Sequence, residues 1–98
     1  MDLKKFLKFD QSTRIVQNPG AVALPEYMNG VTVKNSGTVN LYWDDDLIIP
    51  GDFKALGGNL GEIFAGDVTL KWIEQTPAPT PAIREATVTA KFYINYKP

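Results

Sequence analysis

The 98-residue chain contains no cysteine and no histidine. Without cysteine there can be no disulfide, no thiolate nucleophile and no Cys-based zinc site, and the redox compartment stays open. Without histidine the usual base near neutral pH and the commonest metal ligand are both missing. Long apolar runs are absent as well. Stretches such as Leu47-Ile48-Ile49 fall far short of the roughly 20 residues that a membrane-spanning helix needs. Nor is there an excess of one charge: 10 basic residues against 11 acidic leave a net −1, too little to hold nucleic acid non-specifically. The opening Met1 to Asp10 threads charges between its apolar residues, which predicts no secretion signal and synthesis in the cytoplasm. Together these absences predict a protein that is not an enzyme, takes no cofactor, binds no nucleic acid and does not insert into a membrane.

What is present is ordinary globular composition, 44% hydrophobic and 21% charged, on a chain with room for one core. A single domain over residues 1–98 is expected. Its apolar residues alternate. Val31 and Val33, then Val39, Leu41 and Trp43, then Val68, Leu70 and Trp72 are each separated by one mostly polar residue. After Ala86 the same period continues through Val88, Ala90, Phe92, Ile94 and Tyr96. Period two marks half-buried strands. Thr, Val and Ile supply 22 residues, the β-branched types that suit a pleated surface. Turn residues punctuate these runs at Asn35-Ser36-Gly37, Asp44-Asp45-Asp46, Pro50-Gly51-Asp52 and Gly57-Gly58-Asn59. The Asn35-Ser36-Gly37 step reads as a short hairpin loop with Gly37 at positive φ. Six or seven strands at such spacing predict an all-β fold, a small antiparallel β-sandwich or jelly-roll-like barrel. Its core is expected to hold these alternating residues, Phe92 and Ile94 included.

Two segments depart from the alternation. Residues 1–10 read as a short N-terminal arm or helix, with Leu3, Phe6 and Leu7 at helical spacing over residues 2–9. Residues 76–82 carry Pro77, Pro79 and Pro81 and read as a stiff, extended proline-rich loop.

Three residue groups could carry chemistry. Asp44, Asp45 and Asp46 are the weak candidates for a metal, since oxygen ligands suit calcium. They lack the spacing and central glycine of a calcium loop, so a solvated turn is the plainer reading and no metal is expected. Paired carboxylates could hydrolyse a glycoside, but so short a chain leaves little space for a cleft. Tyr42 and Tyr93 alternate onto the polar faces of their strands, where they would serve a protein interface or stack on a sugar. Charge is unevenly spread: residues 44–67 hold six acids and one lysine, while the rest of the chain sums to +4.

The run Gly30 to Trp43, with its Asn35-Ser36-Gly37 turn and aromatic strand end, is followed by Ile48-Ile49-Pro50-Gly51-Asp52 and Gly66 to Trp72. Over residues 30–96 this pattern resembles small β-sandwich structural proteins of bacteriophage particles. Immunoglobulin-like bacterial domains resemble it too. The first resemblance implies a virion protein, a capsid, decoration or connector subunit that forms a homo-oligomer and docks to other virion proteins. The second implies a carbohydrate- or ligand-binding module. For the first role the interface residues expected are Leu3, Phe6, Leu7, Tyr42, Pro77, Pro79, Pro81 and Tyr93. The final strand, read as residues 85–96, would outrun its neighbours and leave an edge open to strand addition.

Overall fold

The computed structural model describes residues 8–59, 62–64 and 68–95. Among them every regular element is a strand: β1 (Phe9–Val16), β2 (Gly20–Val22), β3 (Met28–Asn35), β4 (Asn40–Trp43), β5 (Asp46–Ile48), β6 (Phe53–Gly57), β7 (Val68–Ile73) and β8 (Ala86–Tyr93). They form two antiparallel sheets, ordered β1-β8-β3-β6 and β2-β7-β4-β5. The pairing is nested. β4 pairs with β5, β3 with β6, β2 with β7 and β1 with β8. The chain is thus one long hairpin, rolled so that every connection except β4–β5 passes from one sheet to the other. That is the eight-stranded jelly roll, and the expected all-β sandwich stands.

The alternating residues meet between the sheets. Val31, Val33, Ala86, Val88 and Ala90 from the first sheet face Leu41, Trp43, Ile48, Val68 and Leu70 from the second, all buried. At about 25 cal/mol per Å² of apolar surface removed from water, this layer is the main stabilising term. Trp72 is only partly buried and packs against the core from its rim. Phe92 is likewise half-buried. Ile94 lies past the end of β8 and is 57% exposed, so it does not belong to the core as its alternation suggested.

Asn35 pins the roll at its centre. It is fully buried, and its side-chain amide donates to the carbonyls of Val39 and Ile48, while its Oδ1 accepts from the Gly37 N–H. Its backbone exchanges bonds with Asp52 and Gly51. Ile49 to Asp52 form the expected turn, closed by Asp52 N–H to the Ile49 carbonyl, with Gly51 at φ 84°. Pro at the second position and a left-handed Gly at the third suit a type II turn.

Several expectations need correction. Asn35-Ser36-Gly37 is not a hairpin, because β3 and β4 lie in different sheets, and Gly37 is not at positive φ. A Cβ on Gly37 would stand 2.2 Å from the Ile83 carbonyl oxygen, so close backbone approach is what requires glycine there. The N-terminal arm does not extend to residue 10, because Phe9 and Asp10 open β1 and pair with Tyr93 and Phe92. Leu3, Phe6 and Leu7 lie outside the described residues. The last strand is neither overlong nor an edge, since β8 runs between β1 and β3 and pairs with both along its length. The proline run bends at residues 76–77 and 80–81 rather than running straight.

Candidate interaction surface

A two-sheet roll has two flanks where the interior would open to water. The edge strands sit there: β1 and β2 on one side, β5 and β6 on the other.

At the β5–β6 flank, Leu56 and Lys54 oppose Val31 and Val33 in the β3–β6 register, so both sit on the inward face at the very edge. Lys54 reaches across the gap to the Asp46 carboxylate on β5, and its Nζ lies 5.2 Å from the Trp43 ring. The aliphatic stem of the lysine covers the core while its charge stays at the surface. Outside this closure the flank is apolar. Leu47, Ile49, Phe53 and Leu56 are 50%, 51%, 62% and 47% exposed, four large side chains spread across the flank, with Leu47 on the outer face of the second sheet, Phe53 on that of the first and Leu56 on the inward face. Monomeric proteins guard sheet edges with charge, proline or a bulge. Here the one charge on β6 is turned inward to Asp46.

Beyond these residues stands a rim of acid. Asp44 and Asp45 make the two-residue turn between β4 and β5, with Asp44 left-handed at φ 53°, a conformation that Asp tolerates better than most residues. The three aspartates considered for a metal therefore diverge in role: two form a turn, and Asp46 is tied to Lys54. Among the described residues no three acidic side chains converge on a point that could hold an ion.

The β1–β2 flank differs. There Arg14 crosses from β1 to donate to the Ala23 carbonyl beyond β2 at 2.9 Å, the counterpart of Lys54. β1 is eight residues long and β2 only three, so the flank is incompletely covered. Two open clefts result, of about 340 and 280 Å³, which share Gln17 and Asn18. The first is bordered by Arg14 and Ile15, the second by Pro19, Trp72 and Arg84.

Of the remaining interface candidates, Tyr42 is half-buried on the outer face of the second sheet, where Leu47 and Lys71 flank it in register. The Lys71 amine lies 5.8 Å from its ring centre. Tyr93 is not a surface residue. It is 2% exposed, its ring centre 4.5 Å from that of Phe9, and the Lys91 amine lies 3.9 Å from the Phe9 ring centre. Alternation put Tyr93 on the polar face, and it is on that face, but the register with Phe9 buries it. Pro77 and Pro81 are exposed and Pro79 partly buried. The Pro81 carbonyl accepts from the Thr38 hydroxyl at 2.6 Å, which fastens the loop to the β3–β4 crossing.

The sequence reading missed the apolar flank, although a signal was present. Leu47, Ile48 and Ile49 are consecutive, and three neighbours in an extended chain cannot all face one core.

No protein-family model matches the chain, and neither a curated protein nor a solved structure matches it. No helix among the described residues is long and apolar enough to cross a membrane.

Proposed function

We propose that this chain is a non-enzymatic structural subunit of a phage or virus particle, working by association with further copies of itself and with other virion proteins. The observation that carries the reading is the β5–β6 flank: two adjacent sheet edges, whose outer sides pair with no strand among the described residues, along which Leu47, Ile49, Phe53 and Leu56 are exposed. Such a surface gains free energy when a protein covers it. The eight-stranded jelly roll is a fold that viral capsid proteins use, which raises the prior by analogy only. Lectins use it too, but the carbohydrate reading rested on two tyrosines. One of them is buried, and the ring of the other has a lysine amine beside it.

The test is light scattering on the wild-type chain over a range of concentrations. The reading expects a mass that rises above the monomer and returns to it in the variant carrying Leu47→Asp and Phe53→Asp, with circular dichroism unchanged. A wild-type chain that remains monomeric at millimolar concentration overturns it.

A further inference from the structure

Building on that reading, we infer that association is head-to-tail: the β5–β6 flank of one copy docks on the β1–β2 flank of the next.

Both halves of this contact are present on each molecule. The β5–β6 flank projects large apolar side chains, whereas the β1–β2 flank is recessed, with two clefts side by side. Ile15, 56% exposed at the edge of the larger cleft, offers apolar surface at the receiving side. Shape alone would let two β5–β6 flanks pair with each other, so charge must decide. Around the projecting flank stand Asp44, Asp45, Asp46 and Asp52 against Lys54 and Lys34, the latter opposite Phe53, a net −2. Only Asp46 among them has a cation partner in the described residues. Two such flanks face to face would repel, and like charges across an interface cost several kcal/mol. The recessed flank carries Arg14, Lys71, Arg84 and, beside β1, Lys91, against Asp10 on β1, Glu74 paired to Arg84 and Glu85 close to Gln17. Its sum is therefore +1, and Arg14 has no carboxylate partner among the described residues. No acidic residue lines either cleft. Opposite charge steers the acidic projecting flank onto this side and fixes its register.

The consequence is a polarity. An isologous contact uses one patch twice and stops at a dimer. A contact between two different patches leaves one of each free at the ends, so it continues into a ring or an open filament.

Two half-disabled variants test this. One carries Phe53→Asp on the projecting flank. The other carries Ile15→Asp with Asn18→Asp on the receiving flank, and Asn18→Asp alone replaces it if the strand substitution disturbs the fold by circular dichroism. Each variant is expected to be monomeric by light scattering, because each keeps one working patch with no mate. Mixed, they should form 1:1 dimers that grow no further, one contact being intact and both outer patches dead. If the receiving-flank variant still dimerises by itself at the wild-type level, the contact is isologous and the inference falls while self-association stands. If the mixture stays monomeric, the two flanks do not meet and the inference falls as well. A wild-type chain that never associates removes the underlying reading first.

Discussion

The two flanks of this sandwich face the same problem and solve it with different side chains. At each, the inward face of a sheet ends before its partner sheet covers it. At each, a long cation from the first sheet crosses to the second, Arg14 to the Ala23 carbonyl and Lys54 to Asp46. Past that shared closure they part. β1 is the longest kind of strand in the molecule, eight residues, and runs Asp-Gln-Ser-Thr-Arg through its middle. Its open edge is solvated by its own side chains. β6 has five residues and sets Phe53, Ala55, Leu56 and Gly57 in the open. An edge strand is therefore made safe or adhesive less by its length than by the polarity of what stands beside the unpaired backbone.

The largest expected effect breaks both flanks at once. Gly37→Ala forces a methyl to within 2.2 Å of the Ile83 carbonyl oxygen and 2.9 Å of the Glu85 nitrogen. Both are backbone atoms that cannot swing aside. The loss should be about 4 kcal/mol or more, visible as a chain without a cooperative urea transition. Next comes Asn35→Ala, which strips partners from the Val39 and Ile48 carbonyls and the Gly37 N–H. Stranding buried polar groups costs about 1–3 kcal/mol each at most, and a total of about 2–4 kcal/mol is expected from urea unfolding. Because Ile48 lies on β5, hydrogen exchange should accelerate at the β5–β6 flank more than along β1. Equal acceleration at the two would show that Asn35 does not distinguish them.

The smallest effects sharpen the comparison between the two crossing cations. Arg14→Ala removes one hydrogen bond and should cost about 1 kcal/mol. Lys54→Ala removes the stem that covers Trp43 and should cost about as much. Lys54→Met keeps the stem and removes an exposed ion pair and the amine beside the Trp43 ring, so it should cost less than Lys54→Ala, about 0.5 kcal/mol. Urea midpoints for the three variants decide the matter. If Lys54→Met is as damaging as Lys54→Ala, the closure at that flank is electrostatic rather than apolar.

Legibility followed burial. Central strands with a core on one side and water on the other announce themselves by period two, which is why Val31 and Val33, Leu41 and Trp43, Val68 and Leu70, and Val88 and Ala90 could be placed on one layer. Edge strands do not. In β1 the inward residues are Asp10, Ser12, Arg14 and Val16, and the outward ones Phe9, Gln11, Thr13 and Ile15, so neither face reads as apolar. β2 and β5 have three residues each, too few to display a period. The misreadings of Gly37 and Tyr93 have a common cause. Each residue's environment is set by a segment far away in sequence, Ile83 for Gly37 and Phe9 for Tyr93, and local pattern carries no record of such pairings. Asp44 and Asp45 could be read as a turn because a two-residue turn is a local object, whereas Asp46 opens β5.

That same turn governs how the chain finds its shape. Only β4 and β5 are neighbours both in sequence and in the ladder. Every further pair in the nest, β3 with β6, β2 with β7 and β1 with β8, closes a longer loop than the one before. Loop closure becomes costlier with length and is met before the new contacts return anything. Folding then has a direction. The nesting predicts that it starts at Asp44-Asp45 and zips outward on the millisecond-to-second scale of non-local β topologies, with β1 and β8 brought together last, where the Ile94 N–H meets the Lys8 carbonyl. Until that final pairing, the edge of β8 that β1 covers is unpaired strand.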